Sequence, residues 1–305
     1  MSTPIILTLA LLLDAALGEP KWLWNRLPHP AVLMGRAVSF LDHRFNTDRA
    51  PLLAGLLSLA LLMAGAYLIG WSLSFLGGIT QIIIAAILLA QRSLVEHVAA
   101  VASGLRVSPG DGRYAVSMIV SRDTRDMDAP ATARAAIESA AENLSDGVIA
   151  PAFWFLVGGL PALMVYKIVN TADSMIAYRT PKYEEFGKAA AYMDDAMNLI
   201  PARLTCWFIA IPAGFISQWR EISKDACKHR SPNAGWPEAA MSRAIGVALA
   251  GPRAYNGEMQ KFPWVGESGK RDPGPSDIDA ALGQLWRAWG IMLGLTFLLA
   301  LFGYT

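Results

Sequence analysis

The chain has 305 residues, of which 54% are hydrophobic and 17% are charged. A soluble domain usually has about 25% charged residues, so this composition favours an integral membrane protein over a large soluble core. The formal net charge of +1 says little about partners. Nothing in the sequence suggests a nucleic-acid ligand.

Apolar segments recur along the chain and are long enough to predict membrane helices. The first begins at Thr3, and it lacks the basic start and small-residue cleavage site of a signal peptide, so we expect a retained, short membrane helix. Gly77-Gly78 predicts a tight turn between the second and third segments, which together read as a helical hairpin. The apolar segments are 3–17, 51–76, 79–98, 148–169, 200–217 and 285–303.

Polar segments separate these spans at 99–147, 170–199 and 218–284. They are partly helical in pattern. Pro109-Gly110-Asp111-Gly112 is a turn signal, and 114–120 could be a short strand or a helix start. Lys and Arg concentrate in 18–50, 99–147 and 218–284, which the positive-inside rule places in the cytoplasm. The prediction is an all-α, polytopic integral membrane protein with long polar, partly helical cytoplasmic loops, forming a single membrane-embedded domain over 1–305.

The segment 148–169 leaves the topology open. Gly158-Gly159-Leu160-Pro161 interrupts it at its middle, and such a break is tolerated at membrane depth where the freed backbone groups are buried or line a cavity. Strict alternation would place 170–199 outside the cell. We predict instead that 148–169 is re-entrant, which returns 170–199 to the cytoplasmic side.

Carboxylates and amides cluster at three borders of these apolar segments, within 138–147, 170–173 and 194–198. Ionisable groups there are costly unless they are paired or bind a ligand. On a helix, Glu138, Glu142 and Asp146 would lie within about 80° of one face and could hold Mg²⁺. A solvated helix face or a helix cap explains any one cluster alone. Three clusters in one chain favour a site.

Several other residues are candidates for ligand binding. Arginine suits bidentate recognition of phosphate or carboxylate, although snorkelling at the membrane interface is an equal alternative for each cation. His29 lies between two prolines, in a structured loop that could also bind a ligand. The turn 231–237 could be a binding loop or a helix entry. The basic candidates are Arg122, Arg179, Lys188 and Arg203.

The sequence lacks a metal-binding cysteine pattern and the standard motifs for nucleotide binding and nucleophilic catalysis. Cys206 and Cys227 have no metal-ligand spacing, so we expect free thiols. The sequence has no Walker A motif, no GxGxxG and no nucleophile elbow. If a nucleotide binds, it does so without a standard phosphate loop.

The motifs resemble those of the CobD/CbiB family, the adenosylcobinamide-phosphate synthases of cobalamin biosynthesis. The resemblance covers nearly the whole chain, and its motifs are long and in order. Ala172 is a small departure, since Leu is expected between Thr171 and Asp173. The matching stretches are 13–20, 29–36, 121–124, 136–138, 141–151, 170–175, 183–188, 194–203, 231–237 and 251–257.

The resemblance implies a ligase of the bacterial inner membrane with its active site facing the cytoplasm. It would join the free propionate of adenosylcobyric acid to aminopropanol or its O-phosphate, using ATP and Mg²⁺. Other membrane-bound enzymes of the pathway are candidate partners, beside the lipid membrane.

On this basis we assign candidate roles to the clustered residues. The candidate catalytic residues are Glu142, Asp146, Asp173 and Asp195. The candidate metal ligands are Glu138, Glu142, Asp146 and Asp173. The candidate substrate-binding residues are His29, Arg122, Asn143, Asn170, Arg179, Lys188, Asn198, Arg203, Asn233 and Trp236.

Three other classes of protein remain alternatives. Polar residues near broken helices also mark small-solute transporters, but 99–147 and 218–284 are long for a compact transporter and no inverted repeat is visible. A noncatalytic membrane protein related to the family would not need the acidic and amide residues together. A prenyl-transfer enzyme would use Asp-rich motifs, and Asp194-Asp195 has no second Asp-x-x-x-Asp partner.

Overall fold

The computed structural model describes residues 1–47, 49–255, 258–260 and 262–303. Within these ranges the chain is mainly α-helical, which confirms the predicted class. The helices are α1 (Thr3–Leu17), α2 (Lys21–Trp24), α3 (Pro30–Phe45), α4 (Pro51–Ser74), α5 (Gly78–Leu88), α6 (Gln91–Val107), α7 (Pro109–Ser117), α8 (Ala129–Leu144), α9 (Ala150–Ile176), α10 (Lys188–Ala213), α11 (Trp219–Ala226), α12 (Gly235–Ile245) and α13 (Pro275–Phe302). A π-helical turn covers Ser145–Ile149, and a 3₁₀ turn covers Ile216–Gln218.

In the described part of the chain, five helical stretches are long and apolar enough to cross a membrane. They are Pro51–Ser74, Gly78–Val107, Ala129–Ile176, Lys188–Ala213 and Pro275–Phe302. The shorter apolar helix α1 has the predicted bounds, Thr3–Leu17. The protein is therefore a polytopic α-helical membrane protein. The last apolar helix begins ten residues before the predicted span, because the polar turn that starts at Pro275 is helical as well.

Helix capping explains one element that the sequence analysis placed incorrectly. The residues 109–112 form the first turn of α7 rather than a separate turn, because the Ser108 side chain accepts a hydrogen bond from the Asp111 backbone N–H (3.1 Å). Pro109 fits the first helical position, where its missing N–H is not needed. Residues 114–117 thus belong to the end of this helix, and 114–120 contains no strand.

Contacts between Cα atoms divide the chain into two compact units. Unit 1 comprises Met1–Ala90, Ala150–Asn198 and Leu295–Thr305, and unit 2 comprises Gln91–Ile149 and Leu199–Gly294. The expected single membrane-embedded domain over 1–305 stays a prediction.

In unit 1, close packing of α4 against α9 and the loop after α9 depends on glycine. A Cβ atom on Gly70 would lie 2.7 Å from the Pro161 Cα atom, and one on Gly55 would lie 2.0 Å from the Phe186 carbonyl oxygen. Separations this short cannot accommodate a side chain. The two glycines therefore let α4 approach the backbone of its neighbours directly.

The predicted interruption of 148–169 is present. Gly158 and Gly159 have non-helical backbone angles, and Gly159 has a φ of 63°, which favours glycine. On one side of the break, Trp154 donates to the Met197 carbonyl oxygen (3.1 Å), and on the other Tyr166 donates to the Asn198 side chain (3.0 Å). Side chains on both sides of the break thus contact adjacent residues of α10, Met197 and Asn198.

Unit 2 is built around α8, whose alanine-rich surface is buried. Ala133, Ala136, Ile137 and Ala140 have no exposed surface. The small side chains let neighbouring elements pack closely, and α6, α7 and α12 all contact this helix. Its first turn is capped by Asp128, whose side chain accepts from the Ala131 backbone N–H (2.7 Å).

The segment 218–284 contains the predicted helical pieces, α11 and α12, and also short strands that the sequence analysis did not predict. β1 (Leu249–Ala250) pairs antiparallel with β4 (Trp264–Val265), and β2 (Arg253–Tyr255) pairs antiparallel with β3 (Glu258–Gln260). Strands of two or three residues are too short to show a two-residue alternation of polar and apolar side chains.

Candidate functional site

A polar cavity of about 340 Å³ lies within unit 2. It is bounded by the loop after α7, the buried helix α8, the loop after α11, strand β1 and the segment around β4. Both acidic and basic side chains line it. The lining residues with polar or aromatic side chains are Ser121, Arg122, Glu138, Ser139, Glu142, Asn143, Lys228, His229, Arg230 and Phe262.

Arg122 and Glu138 form an ion pair in the wall of this cavity. Arg122 Nη2 lies 2.9 Å from Glu138 Oε2, and the side chains are 10% and 6% exposed. Glu138 Oε1 accepts a hydrogen bond from the Ala250 backbone N–H (2.8 Å). Both carboxylate oxygens are thus engaged, so Glu138 serves as an anchor of the wall. Its predicted role as a metal ligand stays a prediction that this geometry does not favour.

Glu142 and Asn143 follow on the same helix and face the cavity. The Glu142 side chain is 39% exposed, so its carboxylate is open to a ligand. Asn143 is held in place, because its amide nitrogen donates to the Ser139 carbonyl oxygen (2.9 Å) and hydroxyl (3.1 Å). Asp146 lies in the π-helical turn rather than in α8, so a regular α-helical face does not extend to it.

His229 lines the cavity beside Glu142, and it was not among the candidates selected from the sequence. Its Nε2 atom lies 3.9 Å from Glu142 Oε1 and 3.6 Å from Glu238 Oε1. Glu238 is 1% exposed and comes from α12. Glu142 is far in sequence from His229 and Glu238, so no local spacing could have linked the three residues.

Two cations at the cavity are positioned by other partners. Lys228 donates to Asp225 Oδ1 (2.6 Å) and to the Trp264 carbonyl oxygen (3.0 Å). The Arg230 guanidinium lies 4.5 Å from the centre of the Phe262 ring. Together they give one side of the cavity a positive character suited to phosphate or carboxylate groups.

Asp225, near the end of α11, is hydrogen-bonded to three other parts of unit 2. It also accepts from Arg243 Nη1 (2.6 Å) and from the Gly266 backbone N–H (3.1 Å). Burial alone would raise the pKa of the Asp225 carboxyl, but the hydrogen bonds from Lys228 and Arg243 outweigh it and hold the pKa below its ordinary value.

Three predicted substrate-binding residues in unit 2 contact one another. Arg203 donates to the Asn233 side-chain oxygen (2.6 Å), and its guanidinium lies 4.8 Å from the centre of the Trp236 ring. The centre of the Trp236 ring lies 4.9 Å from that of Trp219, which in turn lies 5.5 Å from that of Trp207. Asn233 is buried, and Arg203 joins it and the Pro232 carbonyl oxygen (3.2 Å) to α10. A substrate-binding role of the three residues stays a prediction.

The remaining amide and carboxylate candidates meet in unit 1. Asn170 and Asn198 both donate to the Asp194 carboxylate, at 3.2 and 3.0 Å. Asp194 and Asp195 are close enough to act electrostatically on Asp173. The structure thus brings together the two clusters that the sequence places on either side of 174–193. Asp194 is the centre of the group, although only its neighbour Asp195 was selected from the sequence.

The other predicted residues of unit 1 lie at helix starts or in loops. His29 caps α3, since its Nδ1 atom accepts from the Ala31 backbone N–H (3.2 Å), and its ring packs edge-on against Trp24 (4.4 Å). Burial lowers the pKa of His29, against the opposing negative charge of Glu19. Lys188 pairs with Glu185 (2.9 Å), and Arg179 is exposed.

Cys206 and Cys227 are free thiols, as predicted.

The fold and the cavity define a polytopic α-helical membrane protein with a charge-lined polar site. A profile of the family described as CobD/Cbib protein matches residues 7–285. The chain belongs to this family of cobalamin biosynthesis proteins.

Curated relatives resemble this chain over almost its full length. The "Cobalamin biosynthesis protein CobD" of Brucella suis is 47% identical, covering 98% of this chain and 97% of the relative. The proteins of the same name from Rhizobium meliloti and Rhodobacter capsulatus are 46% and 42% identical, covering 94% and 99% of this chain and 94% and 98% of the relatives. No solved structure matches the chain significantly.

Proposed function

We propose that this protein is an ATP-dependent ligase that forms an amide between the propionate of adenosylcobyric acid and (R)-1-aminopropan-2-ol or its O-phosphate. The product would be adenosylcobinamide or its phosphate. Membership of a cobalamin biosynthesis family supports a corrinoid substrate. The observation that carries the proposal is the cavity of unit 2, where the open carboxylate of Glu142 faces the cations of the Lys228–Arg230 loop.

The residues present fit a nucleotide with Mg²⁺. Magnesium is usually held by one or two carboxylates together with substrate phosphates, and the exposed Glu142 carboxylate offers such a ligand. Lys228 and Arg230 line the same cavity and can bind phosphate oxygens. ATP would supply an activated acyl group on the propionate.

The chain itself would bind and orient the two substrates. An amine must be uncharged to attack, and a Glu142 carboxylate that does not bind the ion would hold the substrate ammonium and accept its proton. Arg230, stacked on Phe262, would hold the propionate or the phosphate of the amine substrate. Fixing both reactants in one cavity would contribute much of the rate enhancement, since the reaction between two bound and oriented groups is effectively unimolecular.

We assign the polar group of unit 1 to corrinoid binding. The Asn170 amide would exchange its hydrogen bond to Asp194 for an amide side chain of the corrin, and Asp173 offers a further acceptor. Asn198 is 1% exposed and would hold Asp194 in place. We place the protein in the inner membrane with its active site facing the cytoplasm, where ATP is available. The excess of Lys and Arg in the polar segments supports this orientation.

Product analysis tests the proposal. Purified protein in detergent, incubated with adenosylcobyric acid, Mg-ATP and each amine in turn, should form a cobinamide species detectable by mass spectrometry, with release of phosphate. Glu142→Gln should lower the rate at least about tenfold, equivalent to roughly 1.4 kcal/mol. Glu267→Gln, an exposed site of the same unit, is the matched control and should keep the wild-type rate. Absence of an amide product with both amines, with no phosphate released, would refute the ligase assignment.

A further inference from the structure

An apolar groove follows the first half of α4 in unit 1, on a helix long and apolar enough to cross a membrane. Its volume is about 340 Å³, and Arg49 lies at one end of an otherwise largely apolar lining. We propose that this groove binds an acyl chain of an anionic phospholipid, whose head-group phosphate lies at Arg49. The lining residues are Phe45, Arg49, Ala50, Leu53, Ala54, Leu57, Ser58 and Leu61.

The shape of the groove fits one extended hydrocarbon chain. Ala54 and Ser58 lie one turn apart on one face of α4, and their small side chains leave space for a ligand. Leu53, Leu57 and Leu61 form a row beside them, and each is more than half exposed. From the start of α4 to the last of these leucines the helix rises about 15 Å. This is half of a hydrocarbon core of about 30 Å, so the groove has the length of one acyl chain in one leaflet.

The charge at the start of the groove favours an anionic head group. Arg49 lies two residues before α4 begins, and the Arg44 guanidinium lies 5.8 Å from the centre of the Phe45 ring, which lines the same groove. Among the described residues, neither arginine forms an ion pair with a carboxylate. The segment 44–49 has a net charge of +1, since Asp48 offsets one of its two arginines. Arginine suits phosphate because its planar guanidinium can donate two parallel hydrogen bonds.

A phospholipid combines both features in one molecule. Its acyl chains lie in the hydrocarbon core, where the outward face of a membrane-crossing α4 also lies, and its phosphate lies at the border, where Arg49 precedes the apolar span. Cations at such a border bind anionic lipids more strongly than zwitterionic ones. Because Phe45 belongs to α3, a bound lipid would hold the end of α3 against the start of α4. This inference goes beyond the proposed ligase activity and does not rest on it.

Native mass spectrometry of the full chain in detergent measures lipid binding directly, without substrates. The protein is titrated with phosphatidylglycerol and, separately, with phosphatidylcholine that has the same acyl chains. We expect one tightly bound phosphatidylglycerol per chain, with an affinity at least about fivefold higher than that of phosphatidylcholine. A cation beside an anionic membrane surface contributes about 1 kcal/mol, which is equivalent to this fivefold difference. Glycerol 3-phosphate, which has the phosphate but no acyl chain, should not compete.

Two substitutions separate the head group from the acyl chain. Arg49→Gln should weaken phosphatidylglycerol binding about fivefold and leave phosphatidylcholine binding unchanged. Ala54→Leu should fill the groove and weaken the binding of both lipids. Arg49 is exposed, so its variant should fold even if Ala54→Leu does not. The matched controls are Arg26→Gln, at an exposed arginine of unit 1 outside the lining, and Ala64→Leu, at an exposed position of α4 outside the lining, and both should bind as wild type does.

Several results would overturn the lipid site. They are equal affinity of the wild-type protein for the two lipids, an unchanged preference for phosphatidylglycerol in Arg49→Gln, wild-type binding by folded Ala54→Leu, and competition by glycerol 3-phosphate. A protein dimer that is lost in Ala54→Leu, without a lipid preference, would assign the groove to a second copy of the chain instead. Since no substrate is present, lipid binding that depends on Arg49 would stand even in a protein that makes no amide product.

Discussion

Arg122 and Glu138 are joined across the wall of the cavity by an ion pair that is nearly inaccessible to solvent, at 2.9 Å. The second oxygen of Glu138 accepts the backbone N–H of Ala250. One carboxylate thus links the loop after α7, the central helix α8 and strand β1. The shape of the cavity depends on this link, because all three elements contribute to its lining.

Glu138→Ala should destabilise the protein by about 4 kcal/mol, because it leaves the Arg122 guanidinium buried without its counter-ion. Denaturation in detergent, followed by circular dichroism, measures the change. The control is Glu96→Ala, which breaks the exposed pair of Arg92 and Glu96, with side chains 44% and 58% exposed, and should cost no more than about 1 kcal/mol. Equal losses in the two variants would contradict a special role for the buried pair.

Asp225 should make stability depend on pH in the acid range. Its pKa is held below the ordinary value, so it stabilises the folded protein above the unfolded-state pKa of about 3.9, and this contribution is lost as pH falls through the lower, folded-state pKa. Asp225→Asn should therefore lower the melting temperature at pH 7. The difference from wild type should shrink as the pH falls below about 4.

The matched control for this prediction is Asp279→Asn. Asp279 pairs with Arg106 in the same unit, but both side chains are about half exposed, at 49% and 50%. Its removal should cost less than about 1 kcal/mol at pH 7. A constant difference between the Asp225 variant and wild type from pH 3 to 7 would show that the carboxylate charge is not what stabilises this loop.

Gly70→Ala should disrupt the packing of α4, because the new methyl group would lie 2.7 Å from the Pro161 Cα atom. Overpacking of this kind typically costs about 1–3 kcal/mol. Gly65→Ala is on the same helix with no atom within 4 Å of the new methyl group, so it should be neutral or slightly stabilising. Melting of the two variants in the same detergent gives the comparison, and similar melting temperatures would mean that α4 does not pack as described.

Asp173→Asn and Asp146→Asn should each lower the ligase rate at least about tenfold, or roughly 1.4 kcal/mol. Both residues belong to the polar groups at the ends of apolar segments, where an unused carboxylate would be costly. Glu19→Gln serves as the control and should have a smaller effect. Full activity in both Asp variants, at normal expression, would remove these residues from the site.

Cysteine labelling tests the re-entrant path of 148–169. If the chain returns at Gly158-Gly159, the loop after α9 faces the cytoplasm, and a cysteine there should react only when that side is accessible. Glu184 is the preferred position because it is exposed, whereas Lys182 pairs with the buried Asp42 (2.8 Å). The exposed Cys227 is first replaced by Ser. Labelling of Glu184→Cys from the periplasm of intact cells would show that the segment spans the membrane.

Features set by local sequence were predictable. The apolar run 3–17 gave α1 its exact bounds, and Gly158-Gly159 marked the break in α9, since glycine removes the preference for helical angles. The second and third spans were also placed, although the third is divided into two helices at Leu89. Local hydrophobicity and local backbone preference can be predicted from a single amino-acid sequence.

Features set by contacts between distant residues were not predictable. His229 and Glu238 meet Glu142 only because α11 and α12 pack in the same unit as α8, and no spacing in the sequence reports that. Glu138 was selected for its place on a helical face, but its partners Arg122 and Ala250 were hidden for the same reason. The grouping of Asn170 and Asn198 was anticipated, yet the carboxylate that joins them belongs to Asp194.

The division of the chain has a consequence for how the protein is made. The chain passes from one unit to the other after residues 90, 149, 198 and 294, so each unit combines segments that are synthesised at different times. Unit 2 lacks most of its residues 199–294 until late in translation, and unit 1 needs the end of α13. Neither unit has all of its segments until translation is nearly complete. A nascent chain that ends before residue 199 would contain only the first segment of unit 2, Gln91–Ile149, without the segment that completes the cavity.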